Sequence, residues 1–204
     1  MIDLNFLFPT VVGSAENEDP TDYSSLLELP TEKTMYGFER SKDTYILDNH
    51  APLLRTWIQE QVDDYAKRVL CIKQELRITQ SWLIIHRSGN PQNIFIHKHP
   101  NSIISGAYYL AADGAEGLRF DRNDTTTSPY IEWEYDRETL PNSPWAWIWH
   151  RVEAKKNRLL LFPSQLTHGV NGPPSENIRC SLSFNTWFKD SRWGSDELLG
   201  EVKY

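Results

Sequence analysis

Cysteine is nearly absent: Cys71 and Cys180 are the only two in 204 residues. Two thiols cannot build a disulfide framework, and without a Cys-x-x-Cys pair there is no thiolate zinc site. Basic charge is also in deficit. Twenty-one lysines and arginines stand against 28 acids, a formal net charge of −7, which argues against a nucleic-acid phosphate backbone as general partner. No stretch approaches the roughly 20 apolar residues that span a bilayer. The opening MIDLNFLFPTVV lacks the basic n-region and long apolar run of a secretory signal. Internal repeats and low-complexity tracts are missing too. The expectation is a cytoplasmic protein of a reducing compartment, with no nucleic-acid or membrane partner. A homo-oligomer is compatible with this composition.

What is present is a globular balance: 39% hydrophobic, 24% charged and 12% aromatic residues. That excludes disorder, collagen and coiled coil. The length suits a single domain over 1–204 with one full core. Residues 1–12 read as an apolar strand ending in Phe8-Pro9, and 13–46 as a turn-rich segment with a short helix over Asp22–Leu29, stopped by Pro30. The clearest helix covers 50–70, with Asp48 or Asn49 as N-cap and Pro52 in the first turn. Leu54, Ile58, Val62, Tyr65 and Val69 form one apolar stripe, and Arg55, Gln59, Asp63 and Lys67 face away from it.

After residue 76 the period changes. ELRITQSWLIIHR, NIFIHKH, SIISGAYYLAAD, GLRFDR, RLLLFPS and IRCSLSFNTWF are short runs rich in β-branched and aromatic residues. Gly89-Asn90-Pro91, Pro100-Asn101, Asp113-Gly114 and Pro173-Pro174 separate them. Seven or eight strands without intervening helices argue for antiparallel β. The expected class is mainly β (α+β), a jelly roll or barrel with the long helix on its outside. Residues 1–76 support a β-core at 77–188, and 189–204 form a peripheral tail.

The six histidines are unevenly placed. In His97-Lys98-His99 the i, i+2 spacing sends two imidazoles to one face of a strand. His168 follows the apolar run Arg158–Phe162 and its Pro163-Ser164 exit. Three imidazoles from two segments are a facial set for Fe, Zn, Cu or Ni, although an isolated His-x-His is more often a pair of ordinary strand residues. Eleven residues after His168 comes Arg179, with Ser181 facing the same way. A guanidinium on a core-directed strand needs an anion. A ligand carboxylate suits the arginine–hydroxyl pair, and an internal salt bridge to one of the acids is the alternative.

Read in order, His97-x-His99, Tyr108-Tyr109-Leu110, Gly117-Leu118-x-Phe120, Arg158-Leu159-Leu160-Leu161-Phe162-Pro163-Ser164, His168, Arg179-x-Ser181 and Trp187-Phe188 resemble the prolyl-hydroxylase-like branch of the 2-oxoglutarate/Fe(II) dioxygenases. HKHPNSIISGAYYL and LLLFPSQLTHGV, with the N-terminal FLFPTVV, look like a narrower group of these oxygenases from bacteria and phages. The resemblance covers residues 80–190 firmly and the N-terminal part loosely. It implies a cupin-like double-stranded β-helix with Fe(II) and 2-oxoglutarate as cofactors. His97, His99 and His168 would be the catalytic metal ligands, and Arg179, Ser181 and Tyr108 would bind the far carboxylate of 2-oxoglutarate.

His99 is a departure, since the family pattern places Asp or Glu there. Two imidazoles and a carboxylate leave Fe(II) with a net charge of +1; three imidazoles leave +2, which shifts preference from hard cations toward Zn or Ni. Asp121 is the nearest carboxylate that would compensate, but Asp121-Arg122-Asn123-Asp124 reads as a turn.

Other candidates weigh less. Trp145, Trp147 and Trp149 alternate as one face of a strand, suited to a peptide or sugar but more often to packing. Trp82 and His86 share a face near the metal motif, while His50 and His150 have no partner motif. Asn101 and Ser102 build a turn, with Ser102 a lesser candidate to support the ligands. Asn185 shares strand parity with Ser183 and Ser181. The expected activity is hydroxylation of a substrate C–H bond in a small molecule or a peptide, prolyl by analogy only. The alternatives are a three-His cupin-like metalloprotein that does not use 2-oxoglutarate, and a non-catalytic jelly-roll binding module.

Overall fold

Alternation along the strands builds two buried layers from one large sheet. In the computed structural model, which describes residues 9–18, 21–87, 96–122, 138, 147–171 and 177–190, ten strands form two antiparallel sheets in a jelly-roll-like arrangement. They are β1 (Gly13–Glu16), β2 (Thr31–Lys33), β3 (Glu39–Ser41), β4 (Leu76–His86), β5 (Ile104–Ala111), β6 (Asp113–Asp121), β7 (Trp149–Lys155), β8 (Arg158–Pro163), β9 (His168–Asn171) and β10 (Arg179–Phe188). The large sheet runs β1-β8-β5-β10-β4-β3-β2 and the small one β7-β6-β9.

Two helices follow β3: α1 (Ile46–Asn49) and α2 (Pro52–Arg68). The expected stripe is the buried face of α2. Leu54, Ile58, Val62 and Tyr65 join Leu83, Ile85, Tyr108, Leu159, Leu182 and Phe184 in one apolar cluster, with Val69 at its margin. Each large side chain so buried contributes about 1.5–3 kcal/mol. A second cluster fills the space between the sheets, where Ala107, Tyr109, Leu160 and Phe162 meet Leu118, Phe120, Ala154 and Leu166. Among the described residues, no helix is long and apolar enough to cross a membrane.

Several local expectations are corrected. The N-cap of α2 is Ala51, without a side-chain cap bond; Asp48 and Asn49 are consumed in α1, and Asp48 instead forms an ion pair with Arg55 at 2.8 Å. Residues 22–29 form only a 3-10 turn, Ser24–Glu28, where Asp22 accepts from the Ser24 backbone N–H and hydroxyl, each at 2.9 Å. β1 begins at Gly13, beyond the described part of the strand expected over 1–12. β7 starts at Trp149, and Trp147 ahead of it stacks on His150 at 4.8 Å, so Trp147 and Trp149 do not alternate along one strand. Trp145, the Gly89-Asn90-Pro91 and Pro173-Pro174 turns, residues 1–8 and 191–204 lie outside the described residues.

Candidate metal centre

His97 and His168 are joined through their backbones. Each N–H donates to the other's carbonyl, at 2.9 and 3.0 Å, in an isolated antiparallel bridge. His99 is tied to the other side of the same turn, its N–H donating to the Ser164 carbonyl at 2.9 Å. The i, i+2 spacing and the bridge together bring the three rings into one cluster, with centroids 4.4 to 5.0 Å apart; His97 and His99 stack, and the His168 ring is tilted against both. One ring nitrogen from each lies within 4.8 Å of the others.

The ring tautomers suit a cation. His168 Nδ1 lies 2.8 Å from the Leu166 carbonyl, which can only accept, so Nδ1 carries the proton and Nε2 presents a lone pair. His99 Nδ1 lies 2.6 Å from Asn185 Oδ1, leaving its Nε2 3.0 Å from His97 Nε2. Two imidazole nitrogens about 2.1 Å from one ion and at right angles to each other would be about 3.0 Å apart. Burial pushes the His168 pKa down to about 3, helped by His97 and His99. Burial likewise brings His99 down to about 4, with the Asn185 bond opposing and His97 adding to the shift. Both rings are therefore neutral donors at neutral pH. Phe162, 4.6 Å from the His168 ring, and Trp82, 5.9 Å from the His99 ring, border the cluster with apolar surface.

Arg179 opens β10 on the same inter-sheet face and is 2% exposed. Its guanidinium carbon lies 5.2 Å from the centre of the Tyr109 ring, and Nε lies 3.4 Å from Oε2 of the equally buried Glu116. The internal salt bridge weighed as the alternative is thus present, though among the described residues Nε and Nη1 make no hydrogen bond. His86, opposite Arg179 in register, is pushed down to about 4 by burial and then by the arginine's charge.

Ser181 is buried beside Tyr109 in register. Tyr108 is not there, which corrects the expected trio. It pairs with Leu182 on the helix side of the sheet, stacks edge-on against Trp57 at 5.9 Å, and donates to Asn157 Oδ1 at 3.2 Å. Alternation puts neighbouring tyrosines on opposite faces, and the unbroken register from Asn185 opposite Ser105 to Ser181 opposite Tyr109 sets Tyr109 on the Arg179 side. Asp121 ends β6 and is held by Arg119 at 2.9 Å, apart from the three-histidine group. His50 pairs with Asp43 at 2.9 Å.

Tyr109, Glu116, Ser105 and Ser164 are site residues that the sequence reading did not single out. Glu116 had a signal: in Glu116-x-Leu118-x-Phe120 an acid occupies the core parity of a strand. The two serines had none short of the folded register.

Residues 80–185, just over half of the chain, match the family described as "Putative 2OG-Fe(II) oxygenase". Among curated proteins none matches by sequence. Solved structures do match in fold. HygX from Streptomyces hygroscopicus, with nickel, 2-oxoglutarate and hygromycin B bound, aligns over 89% of this chain and 84% of its own at 12% identity and a TM-score of 0.61. A Pseudomonas putida prolyl-4-hydroxylase aligns over 88% and 92% at 14% identity and a TM-score of 0.54. The α-ketoglutarate-dependent epimerase SnoN from nogalamycin biosynthesis aligns over 88% and 79% at 9% identity and a TM-score of 0.60.

Proposed function

This chain belongs to the 2OG-Fe(II) oxygenase family, and from that premise we propose that it is a 2-oxoglutarate- and Fe(II)-dependent dioxygenase that hydroxylates a substrate C–H bond. The observation that carries the reading is the pairing, on one inter-sheet face, of three convergent imidazoles with a buried arginine that has unused donors. His97, His99 and His168 would hold the iron, and Arg179 with Ser181 and Tyr109 would bind the far carboxylate of the cosubstrate. Bound iron and 2-oxoglutarate supply the oxidising chemistry, coupling cosubstrate decarboxylation to succinate with oxidation of the substrate by O₂. The chain's own residues orient the cosubstrate and keep water out, with Phe162, Phe120 and Trp82 as apolar walls.

The solved relatives carry both a small-molecule ligand and a prolyl-hydroxylase activity in their descriptions. A small molecule or a peptide is accordingly the substrate class. The Glu116 carboxylate beside Arg179 favours a second reading, a three-histidine metalloprotein that does without 2-oxoglutarate. One experiment separates the two. Metal content is measured on freshly purified protein, and melting is followed with Mn(II) and either 2-oxoglutarate or N-oxalylglycine. A ligand specific to the folded state adds about 2.7 kcal/mol at 100 times its dissociation constant. Stabilisation by metal alone, unchanged by either dicarboxylate, would leave the second reading standing.

A further inference from the structure

The strongest observation that the reading above does not use is a line of buried hydroxyls behind His99. Ser102, Ser105, Ser164 and Asn185 are all at most 5% exposed. The direction of their hydrogen bonds is fixed from the far end. The Thr186 backbone N–H, which can only donate, lies 3.1 Å from Ser102 Oγ; the Ile104 carbonyl, which can only accept, lies 2.9 Å from it. Ser102 therefore gives its proton to Ile104, and Ser164 donates to Ser102 at 2.7 Å. With that proton committed, Ser164 accepts from Ser105 at 2.8 Å.

Ser105 Oγ, 3.0 Å from His99 Nδ1, then has only lone pairs to offer the ring, and so does Asn185 Oδ1 at 2.6 Å. Two acceptors facing one ring nitrogen require that nitrogen to carry the proton. We infer that Asn185, backed by the Ser105–Ser164–Ser102 line, is the positioning residue that makes His99 a metal ligand, by holding it as the Nδ1–H tautomer with the Nε2 lone pair toward His97 and His168. The inference rests on the proposed metal site and adds what replaces the missing carboxylate. A carboxylate ligand has two equivalent oxygens and needs no tautomer, whereas a neutral histidine in its place coordinates through Nε2 only as the Nδ1–H tautomer, which an acceptor at Nδ1 fixes. Asn185 sits on β10 directly opposite Ser105 of β5, so the brace is built into the sheet register.

The test uses the full chain with Mn(II) and Zn(II) as probes. Asn185→Leu removes the acceptor, and Asn185→Asp keeps one. Calorimetry should show metal affinity 10–100-fold weaker in Asn185→Leu, and restored to within a few-fold of wild type, or tighter, in Asn185→Asp. Two-bond ¹H–¹⁵N spectra of metal-free wild type should show His99 protonated at Nδ1. Wild-type affinity in Asn185→Leu would overturn the inference. So would an Asn185→Asp as weak as the leucine variant, since the amide NH₂ would then face the ring. A spectrum with His99 protonated at Nε2 would overturn it whether or not the leucine variant folds. If wild type binds neither metal, the proposed function fails instead, and the spectrum still decides the tautomer.

Discussion

Arg179 Nε and Glu116 Oε2 face each other at 3.4 Å between the sheets, each residue 2% exposed. If 2-oxoglutarate delivers its carboxylate to Arg179, it meets a carboxylate already there. Glu116→Gln should lower the melting temperature of the ligand-free protein, because a buried charge losing its partner costs about 3–5 kcal/mol. The same variant should bind 2-oxoglutarate several-fold tighter by calorimetry and gain more thermal stability from it than wild type. Weaker binding would mean that Glu116 aims the guanidinium and does not compete for it.

Arg179→Lys keeps the charge and loses the planar fork. Affinity for 2-oxoglutarate should fall about tenfold or more, with Mn(II) affinity unchanged when the two are titrated separately. A parallel loss of metal would show that Arg179 supports the whole site.

His168→Ala removes the imidazole whose proton is held by Leu166 and whose backbone bridges His97. Purified variant protein should carry no stoichiometric metal by elemental analysis. It should also lose the thermal shift on adding Mn(II), while near-UV circular dichroism keeps the native pattern.

Gly106 lies where β5 passes beneath Phe184. A Cβ there would stand 2.3 Å from Phe184 Cζ and 2.9 Å from the Leu160 carbonyl oxygen. The ring can turn but the backbone of β8 cannot, so Gly106→Ala should destabilise by about 1–3 kcal/mol, seen as a melting point several degrees lower.

His86 stacks on Phe38 at 5.4 Å and is held neutral, its pKa brought down to about 4 chiefly by burial. Its folded pKa lies below the unfolded value near 6.5, so the unfolded chain binds the extra proton between those limits. The stabilisation is complete above about pH 6.5 and is lost as pH falls from there toward 4, by at most about 3 kcal/mol. Metal-free His86→Phe should melt with a shallower dependence on pH across this window. His99 and His168 shift in the same direction and contribute to the slope that remains, as do the lowered carboxyls of Glu39 and Asp43.

The sequence was legible where periodicity governs. The α2 stripe, the antiparallel runs after residue 76 and the pairing of His97 with His99 follow from spacing, whereas His168 joined them only through the order of motifs in the resemblance and, in the fold, through its backbone bridge to His97. Tyr108 was misplaced because which of two adjacent tyrosines pairs with Ser181 is fixed only by the register of β5 against β10. Glu116 was passed over because its partner lies 63 residues away on another sheet, a distance at which only the fold connects them.

β10 is the last described strand in chain order, yet it is inserted between β4 and β5 in the middle of the large sheet. Before it docks, β4 has only β3 as neighbour and β5 has only β8. The sheet then exists as two unjoined halves, with neither Arg179 nor Asn185 in place. During synthesis, a chain emerging from the ribosome can carry all three histidines and still lack the brace on His99. Metal capture in the proposed geometry would thereby wait until β10 has been translated, and a truncation between β9 and β10 should leave a cleft sheet with two raw edges exposed.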